Sequence, residues 1–154
     1  MKLRHLPIRL GAGAYILSSG VDKLGADDDT AAGLHGMASG AYPFLADVDP
    51  KTFTKALAAA EVGLGAALLV PVLPRVVVAA GFTAFSAGLV GMYARTPALR
   101  RGASDPRPSE QGVSVAKDVI IFGAAASYLI DALTSSAKKA GVKAGKKAKK
   151  VVTR

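Results

Sequence analysis

The chain has 154 residues, room for one domain; 51% are apolar, yet only 6% are aromatic and none is Trp. It contains no Cys and only two well-separated histidines, His5 and His35, which excludes disulfides, thiolate metal sites and thiol redox chemistry and leaves no histidine pair for a metal. The net charge of +9 is a property of the C-terminus, because residues 138–154 hold eight basic and no acidic side chains while the other 12 Lys/Arg nearly balance 11 Asp/Glu.

An apolar content built on Ala, Gly, Val and Leu suits helices packed closely in lipid better than the thick core of a soluble domain. The basic start is interrupted by Pro7 and Arg9, and Gly20-Val21-Asp22-Lys23 is a poor cleavage site, so residues 6–24 are expected as a helix of the mature protein rather than a signal peptide. Only Leu10 to Val21 is free of charge in that stretch. It reaches the ~20 residues of a membrane crossing only if the charges at its ends snorkel or pair. Residues 25–52 form a polar connector. Asp27-Asp28-Asp29-Thr30 reads as a helix N-cap, which predicts a short interfacial helix over residues 31–45, with Pro43 and Pro50 as punctuation.

Residues 53–73 are the second predicted span, with Glu61 the one charge in its apolar part. Pro71 to Arg75 turns the chain into the third span, residues 76–94, which carries no charge. A soluble helix would need a polar face there, and only Thr83 and Ser86 are on offer. An Arg- and Pro-rich loop follows, and the fourth span covers residues 113–133, with Lys117 and Asp118 near its start and Asp131 near its end. The fold class expected is therefore all-α: an integral membrane four-helix bundle over residues 1–135, a short interfacial helix in the first connector, and a basic, disordered cytoplasmic tail over residues 136–154.

Four crossings place both termini on one side. Lys2, Arg4, Arg9, Arg75 and the lysine tail assign that side to the cytoplasm, so the protein is expected as a multi-pass plasma-membrane protein. The first connector, with five aspartates against Lys51, then faces outward. The loop carrying Arg95, Arg100, Arg101 and Arg107 runs against the rule, and the tail outvotes it.

Depth follows from helix rise. Glu61 comes ~10 Å below the outer boundary and Lys117 and Asp118 ~6–8 Å below it, in the same outer half as Asp22 and Lys23 at the outer end of the first span. Charges in hydrocarbon cost at least ~2.5–3.5 kcal/mol each, so these groups should face one another, with Glu61 paired to Lys23 or Lys117. Ser18 and Ser19 can add hydroxyls. The candidate ligand- or proton-handling pocket is Glu61, Lys23, Lys117, Asp118, Asp22 and Ser19; structural ion pairing is the competing explanation. Arg9 is expected to snorkel to head groups at the opposite end, and His35 to be an exposed connector residue. Small residues four apart (Ala59, Gly63 and Ala67; Ala80, Ala84 and Gly88) predict faces for close helix packing. The tail lysines, among them Lys146, Lys147, Lys149 and Lys150, are expected to bind anionic lipid at ~1 kcal/mol each. With no aromatic interleaved to stack on bases, nucleic acid is a poor partner.

Arg9-Leu10-Gly11 followed by Ser19-Gly20-Val21-Asp22-Lys23 resembles the first helix of DoxX-type membrane proteins. Ala60-Glu61-Val62-Gly63-Leu64-Gly65 with Leu68-Leu69-Val70 is similar to that family's second helix, and the resemblance spans residues 4–133. It implies an accessory or structural subunit of a bacterial membrane redox or oxidative-stress assembly, partnered by the bilayer and by other membrane subunits. The alternative is a small-molecule or quinone-binding membrane protein or transporter. A quinone is the only cofactor the resemblance suggests, and members that handle thiols need cysteines this chain lacks. Gly11-Ala12-Gly13 has no third glycine at the nucleotide-fingerprint spacing, and no nucleophile or metal set stands out, so no catalytic residue and no catalytic activity of its own is expected.

Overall fold

The computed structural model describes residues 3–102 and 104–152, with the side chains of Ser114, Lys139 and residues 143–152 outside that description. Among the described residues every named element is helical. Helix α1 covers Leu6–Leu24, α2 Asp28–Ala41, α3 Pro50–Leu69, α4 Arg75–Arg95, α5 Val113–Ala116 and α6 Asp118–Val152, with single 3-10 turns at Leu3–His5, Pro43–Leu45 and Pro97–Leu99.

Local chemistry sets these limits. Asp27 accepts a hydrogen bond from the Thr30 amide at 2.9 Å and starts α2. Asp49 does the same for α3, accepting from the Thr52 amide at 2.8 Å, with Pro50 at the first helical position. Helix α3 stops at Leu69, four residues short of the predicted end, because Val70 precedes Pro71 and is held extended. Pro74 releases the chain into α4, and Pro97 follows its end.

The fourth predicted span is broken. Its first turn is the separate helix α5, and at Lys117, which keeps helical dihedrals, the carbonyl accepts from the Ile120 amide at 3.0 Å and the Ile121 amide at 3.3 Å, a tightened turn where α6 begins. At the other end α6 continues through the segment expected to be a disordered tail and reaches Val152. Ala and Lys are strong helix formers, and no proline interrupts the segment. This corrects the tail reading; the lipid-binding role given to Lys146, Lys147, Lys149 and Lys150 rests on side chains outside the described residues.

The core draws on four helices: Ile16 from α1, Leu68 from α3, Val78, Ala79 and Phe82 from α4, and Ala125, Tyr128 and Ala132 from α6. Helices α1 and α3 run antiparallel at very close range, Gly13 against Leu68 and Leu69, Gly65 against Leu17, and Gly20 against Glu61 and Val62. A Cβ on Gly65 would stand 2.6 Å from the Leu17 backbone nitrogen, and one on Gly20 2.7 Å from that of Val62. The small-residue faces singled out in the sequence point elsewhere, since Ala59, Gly63, Ala80, Ala84 and Gly88 are exposed and neither Gly63 nor Gly88 has a neighbour where a Cβ would go. Three of the closely packed glycines lie on the α1–α3 seam, on the face of α1 that carries Arg9 and Lys23; Gly91 of α4 meets the Tyr42 hydroxyl and Gly112 the Leu99 carbonyl.

Among the described residues three helices are long and apolar enough to cross a membrane, Pro50–Leu69, Arg75–Arg95 and Asp118–Val142. Four such spans are expected from sequence; α1 does not qualify by length and composition.

Candidate functional site

A cavity of about 430 Å³ opens between the C-terminal half of α1, the N-terminal half of α3, the C-terminal half of α4, the first residue of α6, and α2 with its following turn. Its volume falls in the range of small-molecule sites. The walls are mostly apolar and include four aromatic rings, Tyr15, Tyr42, Phe53 and Phe85. Helix α2, expected as an interfacial element, forms one wall through Leu34, Met37 and Ala38. It is held there by the Tyr42 hydroxyl, which donates to the Gly88 carbonyl at 2.7 Å, and by His35, whose Nε2 lies 2.9 Å from the Leu45 carbonyl with its ring edge-on to Phe53. His35 is thus half-buried and fastens the connector, where an exposed position was expected.

The polar lining comes from α1, α3 and α6. Lys23 Nζ donates to Glu61 Oε2 at 2.9 Å and to Ser19 Oγ at 2.6 Å. Of the two partners the sequence allows Glu61, Lys23 is the one present. Glu61 is 4% exposed, and Gly20 makes the pair geometrically accessible by letting α1 approach the Glu61 Cβ. Asp118 is 7% exposed and lines the same cavity. No hydrogen bond to its carboxylate occurs among the described residues.

Three other candidates lie elsewhere. Lys117 is exposed and holds its Nζ over the Tyr15 ring, 5.2 Å from the centroid, on a different face from its neighbour Asp118. Asp22 is exposed and lines a separate depression next to Ser19 and Lys23. Ser18 points outward.

A second polar cluster occupies the opposite end of the molecule. Arg9, expected to snorkel, is 2% exposed. Its Nε donates to the Leu68 carbonyl at 2.6 Å, one terminal nitrogen to the Ala67 carbonyl at 3.0 Å, and the other to the Tyr128 hydroxyl at 3.4 Å. Ala67 and Leu68 lie in the last turn of α3, where carbonyls have no partner within the helix, and a cation there also complements the helix dipole. Arg9 is therefore a C-cap supplied by another helix, which explains its burial without a carboxylate among its hydrogen-bond partners. Nearby, His5 Nε2 sits 2.8 Å from Asp131 Oδ2, its ring 4.9 Å from that of Tyr128, and Arg4 also pairs with Asp131. The sequence signal was the spacing of His5, Arg9, Gly13, Ile16, Gly20 and Lys23, one helical face that is polar at both ends and small in the middle.

Outside the helices long enough to span, acidic caps carry the clear pKa shifts. The Asp27 carboxyl lies below its ordinary range because Thr30 donates to it, and the Asp49 carboxyl is lowered in the same way by Thr52. Asp105 is lowered by hydrogen bonding to Arg107, whose guanidinium lies 2.7 Å away.

Comparison with models of known families, with curated proteins and with solved structures gives no match.

Proposed function

We propose that this chain is a DoxX-like integral membrane protein in which α1, α3, α4 and α6 cross a bacterial plasma membrane as a bundle, and that its cavity holds one small amphipathic molecule. The membrane reading is supported by α4, apolar on every side although only 28% of its apolar stretch is buried within the chain; that of α6 is 17% buried. Bare apolar surface on that scale is costly in water and matched in lipid. Helix α1 carries three charges: Arg9 and Lys23 lie on its inner face, where α3 satisfies them, and the exposed Asp22 lies in its last turn. Its 19 residues span about 28 Å beside α3, close to a hydrocarbon thickness. Basic N-terminal, Arg75 and tail segments favour cytoplasmic termini, which puts the cavity in the outer half.

The observation that carries the binding role is the cavity itself, apolar-walled, with the Lys23–Glu61 pair and Asp118 in its lining. Such a shape accepts a molecule with an apolar body and one polar end. Because the chain has no Trp, Phe53→Trp places a single indole in the wall. In lipid nanodiscs its emission should change saturably with some member of a panel of quinones, alkyl alcohols and alkylamines, and Glu61→Gln should weaken that response. A response no different from that of a Trp outside the cavity, for every member, refutes the binding role.

A second reading, an accessory subunit of a membrane redox assembly, is favoured by the apolar surface that α4 leaves uncovered, 28% of its apolar stretch being buried within the chain, which would admit another helix. Purification at native expression level in a mild detergent tests it, since a stable stoichiometric partner is expected and a chain that always purifies alone contradicts it.

A further inference from the structure

The charges lining the cavity do not balance. Lys23 contributes one ammonium, already shared between Glu61 and Ser19, whereas Glu61 and Asp118 contribute two carboxylates. Asp118 is more than nine-tenths buried, faces the cavity, and has no hydrogen-bond donor among the described residues. Lys117, its neighbour in sequence, opposes its charge only from the rim, with the ammonium directed at the Tyr15 ring instead of the carboxylate. A carboxylate that the protein leaves unpaired and open to the cavity is a binding point for a cation, and a ligand that brings one there gains an ion pair away from bulk water. The remaining wall suits the same ligand, because aromatic faces attract an ammonium through their quadrupoles, and Phe53 and Phe85 line the cavity beside Tyr15, whose ring already carries the Lys117 ammonium. Tyr42, the fourth ring, shows the preference within the protein, since the Arg95 guanidinium stands 4.7 Å from its centroid.

We propose that the cavity selects an amphipathic organic ammonium, an alkyl- or arylamine, with Asp118 as its counter-ion and the apolar wall around its hydrocarbon part. The proposal rests on the binding role given above and adds the ligand's charge. It also separates the ligand from a neutral quinone, which would leave the excess carboxylate unrelieved.

The test uses the full chain in nanodiscs of zwitterionic lipid, with the Phe53→Trp emission as the signal and empty nanodiscs subtracted. Three matched probes are titrated: octylamine, octanol and octanoate. Octylamine should bind at least about tenfold more tightly than octanol, and octanoate more weakly than either. Asp118→Asn should bring octylamine and octanol to parity while leaving octanol where it was, and Asp118→Glu should restore the preference, which separates lost charge from lost fold. If the wild-type protein binds octanol and octylamine equally, the ammonium inference is overturned and the cavity stands. A preference that survives Asp118→Asn overturns the counter-ion assignment. If none of the three binds, the binding role fails together with the inference.

Discussion

Replacing Gly65 by Ala adds one methyl group where α1 and α3 touch through their backbones. The new Cβ would lie 2.6 Å from the Leu17 nitrogen, and ordinary contact begins at 3.4 Å, so α1 must retreat by about 0.8 Å. No rotamer change can absorb this, because the obstacle is main chain. Overpacking of this kind costs about 1–3 kcal/mol, the upper end applying here, and the better helix propensity of Ala returns about 1, leaving a net loss near 2 kcal/mol. The same retreat would stretch the Lys23–Glu61 contact from 2.9 Å to about 3.7 Å, beyond hydrogen-bond range. Two residues earlier, Gly63 has nothing within 4 Å of its virtual Cβ, so Gly63→Ala should be neutral or stabilising by up to about 1 kcal/mol. Denaturant unfolding of both variants in one micelle system measures the difference, expected near 3 kcal/mol in total. Equal stabilities would refute the α1–α3 seam, and with it the geometry that joins Lys23 to Glu61.

Further outcomes follow from the same contacts. Lys23→Met or Glu61→Leu alone leaves a buried partner uncompensated and should cost about 3–5 kcal/mol, whereas the double variant should be markedly less destabilised than their sum, as a double-mutant cycle would show. Arg9→Met strips the Ala67 and Leu68 carbonyls of their donor and should cost about 2–5 kcal/mol, with amide exchange rising first in the last turn of α3. The lowered carboxyl pKa values of Asp27 and Asp49 mean that their caps contribute fully above the unfolded pKa of about 3.9 and are lost as pH falls through the lower folded values. Exchange at the Thr30 and Thr52 amides should accelerate in that acid window and stay constant from pH 5 to 7 once corrected for intrinsic rate.

Helix rise was enough to bring Lys23, Glu61 and Asp118 to the same half of the bundle in the sequence, and the three line one cavity, because each sits on a helix whose ends are marked by charge or proline. Lys117 escaped the same arithmetic, because depth places it beside Asp118 while consecutive residues on a helix point about 100° apart, so only one of the two can face the cavity. Arg9 was assigned to lipid because its partners, two main-chain carbonyls on α3, leave no mark in side-chain identity. The close-packing glycines were missed for a related reason. Spacing by four identifies a face on each helix, but only the partner decides which face is covered, and α1 chose Gly65 over Gly63. The helical course of the lysine-rich segment follows from propensity, which charge density had been allowed to override.

The crossing of all four helices is the claim on which the cavity's depth and the pairing of its charges depend, and accessibility of single cysteines tests it most directly because the chain has none of its own. In intact cells treated with a membrane-impermeant maleimide, Asp47→Cys and Ser104→Cys should react, while Leu3→Cys, Val72→Cys and Ser136→Cys should react only after permeabilisation. Labelling of Leu3→Cys and Asp47→Cys from the same side would remove α1 from the membrane, and equal labelling of all five in a detergent-free soluble fraction would contradict the account as a whole.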